Sequence, residues 1–297
     1  MSIDGDQSEN LLAAAKPPFL LCLFLDGFGV APATEVNAVG AAKMPNFFKY
    51  IREYPVSLLS GATKDYRRRY WSLGCGLPDD AESFLKAETC LSEVLSLQGL
   101  RQIKIVASEQ LPGLSLFFNN DKEIPYGGED YVCLSTPAPE ETLRPLGKEV
   151  ARAISEASRP GKADIIFASL PLAHEASARG DFKETVNNLQ QIDKLLPKII
   201  TPILNRGGLV LITAPFGNAE LTRNLAVDWE DREPTANPVP FLLIGEKYQG
   251  KTIGLADPLD GDLSILAPAG SLADFAPTVL SLLEIKKPAS MSGESLL

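Results

Sequence analysis

Histidine is almost missing from this chain. Its 297 residues hold one, His174, so a metal centre here would have to draw on oxygen ligands, as magnesium and calcium sites do. Cysteine is sparse as well: Cys22, Cys75, Cys90 and Cys133 stand far apart with no CxxC spacing. That excludes a compact zinc or dithiol motif, and it leaves small hydrophobic thiols in a reducing cytoplasm as the reading. Positive charge is in short supply, with 28 Lys and Arg against 38 Asp and Glu for a net charge of -10. A general phosphate-backbone binder needs a basic face that displaces counterions, so no nucleic-acid partner is expected. Long hydrophobic runs are lacking too. Phe19–Leu25 covers seven residues, against the roughly 20 that a membrane-crossing helix needs, so no membrane insertion is expected.

What is present suits a packed α/β core. Hydrophobic residues make up 45% of the chain and charged ones 22%, the balance of a globular domain. FLLCLFLDGFGV reads as a parallel strand buried on both faces, with Asp26 at its carboxyl end. A helix is expected around Lys43–Glu53 with Pro45 in its first turn, and residues 55–90 read as irregular. LSEVLSL gives a helix and QIKIVAS a strand. SLFFN and DYVCLST read as two short strands around a Pro- and Gly-bearing loop. A helix near Glu140–Ala157, the strand ADIIFASL and an amphipathic helix from about Phe182 to Leu204 follow, the last broken or kinked by Pro197 and Pro202. LVLIT and VPFLLIG are further strands, and a final helix opens at Ser271 with Asp274 three residues on, the spacing of a capping box. Strands alternating with such helices predict a mainly parallel central sheet with helices on both faces. Residues 1–16, more acidic than basic, read as a flexible tail, and 17–297 as one domain.

The stretch VLITAPFGNAE, 210–220, carries the functional question. A buried strand delivers its next loop to the sheet edge where ligands collect in open α/β folds, yet Pro215 and Phe216 there can neither bind a metal nor move a proton.

Seven segments in order resemble the cofactor-independent phosphoglycerate mutases of the alkaline phosphatase-like metalloenzyme superfamily: LDGFG (25–29), KMPNFFKYIREYP (43–55), LSEVLSLQGLRQIKIVASEQ (91–110), FFNNDKEIPYGGED (117–130), ITAPFGNAE (212–220), TANPVPFLLIG (235–245) and 272–297. The resemblance implies an alkaline phosphatase-like sandwich and, for the family, two divalent metals such as Mn or Zn. It also implies which positions should do chemistry. Where the family resembles ITADHGNAE, with Asp and His both on metal, this chain has Pro215 and Phe216. His174 falls at the aspartate and Ala178 at the histidine of the family's Asp-x-x-x-His motif, Pro234 at a further histidine, and Tyr66 at the nucleophilic serine. Of the metal and nucleophile positions only Asp26 is retained, and one histidine cannot make up the family's three. The family's inserted second domain has no counterpart beyond a short stretch at 77–89.

These readings converge on a pseudoenzyme with no cofactor, acting by binding a protein partner, with Asp26 as the one weak metal candidate. The alternative is a phosphate- or sulfate-ester hydrolase whose metal site has been rebuilt around Asp26 with other carboxylates. YRRRYW offers a partner surface at Arg67, Arg68, Arg69, Tyr70 and Trp71, since arginine and aromatics anchor interfaces. The acidic group Asp257, Asp260 and Asp262 reads as a solvated turn, and FGNAE as a weak anion site at a helix start.

Overall fold

The structure is a computed structural model, and it describes residues 17–138, 140–224, 229–230, 232–252 and 261–297. The flexible-tail reading of 1–16 lies outside these residues, as do Asp257 and Asp260.

The strands are β1 (Leu20–Phe24), β2 (Val56–Ser60), β3 (Gln102–Ala107), β4 (Glu129–Leu134), β5 (Ile165–Ser169), β6 (Leu209–Thr213), β7 (Arg223–Asn224), β8 (Trp229–Glu230), β9 (Val239–Ile244) and β10 (Gly270–Ser271). Eight of them form one sheet in the order β10-β2-β9-β6-β1-β5-β3-β4, and β7 pairs with β8. β1 runs parallel to both β5 and β6, with Phe24 level with Ser169 and Thr213. Within the eight-stranded sheet β9 alone runs against its neighbours, β2 and β6, and β7 and β8 pair antiparallel. Every residue of β1, β5 and β6 is buried, because a central parallel strand is covered on both faces and each Leu, Ile or Phe removed from water contributes about 1.5–3 kcal/mol.

The helices are α1 (Ala38–Ala41), α2 (Pro45–Glu53), α3 (Tyr66–Cys75), α4 (Leu91–Leu97), α5 (Arg144–Ala157), α6 (Leu172–Ala178), α7 (Phe182–Leu204) and α8 (Phe275–Leu282). They form two groups, one on each face. α3 and α8 pack together, and Phe24 meets Tyr70 of α3 and Phe275 of α8 at ring-centroid distances of 6.4 and 5.5 Å. α5, α6 and α7 pack on one another and on β3, β5 and β6. α2 starts at Pro45, and its Phe47 amide donates 2.8 Å to Asp193 of α7, which also accepts from Asn46 Nδ2. The final helix is preceded by the Ser271–Asp274 capping box that the spacing predicts.

Three expectations are corrected. Residues 55–90 contain a strand and a ten-residue helix, β2 and α3. SLFFN is no strand: Gly113–Phe117 forms a π-helical turn, and Lys104 of β3 donates to its Leu114 carbonyl at 2.8 Å. α7 is continuous through Pro197 and Pro202, because the buried stripe of Leu189, Ile192, Leu196, Ile199 and Ile203 holds it against the core on both sides of each proline, outweighing the missing amides.

Candidate functional site

The carboxyl ends of β1, β5 and β6 bring Asp26, Ser169 and Thr213 side by side, and α3 lies across them. Asp26 is fully buried. Its Oδ2 accepts from Ser169 Oγ at 2.6 Å and Tyr70 Oη at 3.1 Å, while its Oδ1 has no partner among the described residues, nor has Thr213 Oγ1. Burial pushes the Asp26 carboxyl up to about 7, with the Glu175 charge adding to the rise and the two hydroxyl bonds opposing it. Its partner Tyr70 is raised as well, by burial and by the Asp26 charge.

Above this layer opens a cleft of about 630 Å³. Tyr66, His174, Ala178, Phe216 and Pro234, far apart in the sequence, all line it, so the tertiary fold gathers the positions that the resemblance picks out. Ala178, Phe216 and Pro234 carry no polar side-chain atom, and the rings of Tyr66 and His174 pack against Phe216. The Phe216 ring lies edge-on to Tyr66, Tyr70 and His174 at 6.4, 6.4 and 4.9 Å, and Tyr66 also meets Phe117 at 5.9 Å. His174 sits in the first turn of α6, its amide donating to the Asp26 carbonyl at 3.1 Å. Burial drives its imidazole down to about 4, against the opposing pull of the Asn218 amide and the Glu233 charge. At neutral pH it is an uncharged ring packed on a phenyl. Pro215 contributes a carbonyl, which accepts from Arg69 Nε at 2.6 Å.

The loop after β6 binds an anion, but the anion is internal. Glu220 accepts from the Gly29 and Asn218 amides at 3.1 and 2.8 Å and from Asn237 Nδ2 at 3.0 Å, with Thr235 Oγ1 as a further donor. This corrects the reading of FGNAE as an external anion site. Asp262, the described member of the acidic group, accepts from Ser264 in a short turn.

The YRRRYW surface is corrected in half its members. Arg69, Tyr70 and Trp71 are buried, whereas Tyr66 is 40% exposed and Arg67 is exposed but paired with its own N-cap, Asp65, at 2.7 Å. Arg68 is half-buried, over the Phe84 ring at 4.5 Å. The helical spacing of Tyr66, Arg69, Tyr70 and Leu73, at i, i+3, i+4 and i+7, is the signal that places one arginine inward. Ser169, Thr213 and Gln110, which donates to Glu175 Oε1 at 2.5 Å, carry no such signal.

The profile of the metalloenzyme superfamily matches residues 18–287. The chain belongs to the metalloenzyme superfamily. It is 31% identical over 214 residues to a 2,3-bisphosphoglycerate-independent phosphoglycerate mutase of Rhodopseudomonas palustris, covering 70% of this chain and 38% of that one. The chain spans less than half the length of the curated relatives it matches. Its fold is that of the phosphoglycerate mutase of Leishmania mexicana (TM-score 0.75, 11% identity, covering 94% of this chain and 98% of that one). It is also that of the alkaline phosphatase of the Antarctic bacterium TAB5 (TM-score 0.62, 12% identity, 92% and 99%). The α/β, alkaline phosphatase-like architecture therefore stands.

Membership corrects the expectation of a chain without a cofactor. In a metalloenzyme superfamily a divalent metal is the cofactor to expect. The donor set at the cleft nevertheless does not fit the family's pair of metals: Phe216, Ala178 and Pro234 bring no ligand atom on their side chains, and the single imidazole is turned edge-on to a phenyl ring. Among the described residues no three His, Cys, Asp or Glu side chains are grouped to hold an ion.

Proposed function

We propose that this metalloenzyme-superfamily chain is a pseudoenzyme that acts by binding a protein partner. The observation that carries the reading is the Phe216 ring, packed among Tyr66, Tyr70 and His174 above Asp26. In-line displacement on phosphorus needs cations clamping the attacking and leaving oxygens, and here a hydrocarbon ring fills the approach to the one retained carboxylate. Residues 17–297 are read as one domain without the mutases' inserted one, and the four free thiols suit a reducing cytoplasm. The exposed ring of Tyr66, which lines the cleft, together with the neighbouring Arg67 and Arg68, is the proposed contact surface.

The test pairs two measurements on the purified full chain. Bound metal is determined by mass spectrometry, and hydrolysis of p-nitrophenyl phosphate is followed with Mn²⁺, Zn²⁺ or Mg²⁺ added. The reading predicts no turnover that depends on Asp26. Stoichiometric metal together with hydrolysis abolished by Asp26→Asn would replace it with the rebuilt-hydrolase alternative. Capture of a defined partner by the wild type, lost with Tyr66→Ala and Arg67→Ala, supports the surface; capture unaffected by either variant removes it.

A further inference from the structure

Arg69 is a charge sealed inside the wall of the cleft, with no exposed surface. Its Nε donates to the Pro215 carbonyl at 2.6 Å, and its Nη1 donates to the carbonyls of Thr63 and Thr235 at 3.3 and 3.1 Å. These acceptors sit on three separate segments: the connection from β2 to α3, the loop after β6, and the approach to β9. Among the described residues no carboxylate is hydrogen-bonded to the guanidinium. Asp79 and Glu220 act on it through charge alone, and burial still lowers it to about 10, leaving it protonated at neutral pH.

Three carbonyl oxygens converging on a buried positive charge are how loops are cross-linked around a bound hard cation. Here the charge is covalently part of α3. A guanidinium suits the task because its planar fork presents donors along several fixed directions, where an ammonium is a single point. The surroundings are shaped to it: a Cβ added at Gly61 would lie 2.6 Å from Arg69 Cζ and 2.7 Å from Nη1, and it meets no other residue as closely.

We propose that Arg69 is an internal cation that clamps these three segments together, two of which line the cleft at Phe216 and at Arg232–Pro234, so that the cleft is held in one shape by the chain's own side chain. The clamp joins segments that are otherwise linked only in part. Thr235 donates to the Gly217 carbonyl at 2.8 Å, and Asp79 accepts from the Ala62 and Thr63 amides at 3.0 and 3.1 Å. Arg69 alone, among the hydrogen bonds described, ties Thr63 to the other two.

Amide hydrogen exchange on the full-length chain tests this, comparing wild type with Arg69→Met, Arg69→Lys, Gly61→Ala and Asp79→Asn. Arg69→Met is expected to speed exchange in segments 61–65, 214–220 and 232–237 together by at least about tenfold, the factor for one lost charge-assisted hydrogen bond, while β3 and α7 keep their protection. Arg69→Lys restores fewer than all three. Gly61→Ala displaces the guanidinium without removing it, so it should loosen the loops at 215 and 235, which Gly61 does not touch; Asp79→Asn should loosen 61–65 alone. Should Arg69→Met fail to fold, Gly61→Ala carries the test. Unchanged exchange at 214–220 and 232–237 in both variants overturns the clamp. A uniform rise that includes β3 and α7 does so as well, because it would make Arg69 a general stability element.

Discussion

Tyr70 Oη donates to Asp26 Oδ2 across 3.1 Å. The bond joins the middle of α3 to the end of β1 and shuts the strand-end carboxyl beneath a phenol. An acid so placed keeps its proton near neutrality, and beside it His174 is held uncharged by the same burial.

These two groups set opposite pH slopes. The Asp26 pKa is raised from 3.8 to about 7, so its contribution to stability is complete below 3.8 and is lost as pH rises through 7. His174 is depressed from 6.5 to about 4, so its contribution is present above 6.5 and is lost as pH falls through 4. Between pH 4 and 6.5 they cancel, and urea unfolding of the wild type should be nearly flat there. Asp26→Asn removes one slope, and its stability should then climb from pH 4 to 6.5 by a few kcal/mol. A flat profile in that variant would contradict the assignment.

Phe216 is 3% exposed and contacts three rings. Phe216→Ala should cost about 3–5 kcal/mol, the range for truncating a buried phenylalanine, read as a lower urea midpoint with an unchanged m-value. A loss under about 1 kcal/mol would mean that the cleft collapses freely around the missing ring.

Lys104 and Glu129 form a fully buried ion pair at 2.6 Å, closed by Asn119, Tyr131 and the Tyr126 amide. Lys104→Met leaves a buried carboxylate unpaired and should destabilise by about 3–5 kcal/mol. The double variant Lys104→Met/Glu129→Gln should recover much of that loss. A double-mutant cycle with no coupling between the two positions would rule the pairing out as a source of stability.

Asp193 caps α2 from outside its own helix. Asp193→Ala should cost about 1–2 kcal/mol, as lost N-caps do, and should raise amide exchange in the first turn of α2 before the rest of the helix. Equal exchange along α2 in the variant and the wild type would refute the cap.

Much of the fold was legible because burial on both faces leaves a period-free apolar run. LLCLF, IIFAS, LVLIT and VPFLLI all became strands of the central sheet. Local capping chemistry was legible for the same reason of proximity: Pro45 opens α2, and Ser271 with Asp274 closes a box within four residues. The π-helical turn at Gly113–Phe117 was not, since its backbone answers to Lys104, a residue of a neighbouring strand. Nor was the unbroken course of α7, where packing outweighs two prolines.

The candidate site divides along the same line. Residue identities alone determined that one histidine serves the whole chain and that Pro215 and Phe216 stand at a strand's end, because side-chain chemistry needs no coordinates. Only the tertiary structure decided that Phe216 meets Tyr66, Tyr70 and His174, and that the partners of the inward Arg69 are Thr63, Pro215 and Thr235. Except for Arg69 with Thr63 and Phe216 with His174, those contacts join residues more than a hundred positions apart in the chain, and their partners are chosen by the packing of α3 across the sheet's edge, which no local pattern of residues encodes.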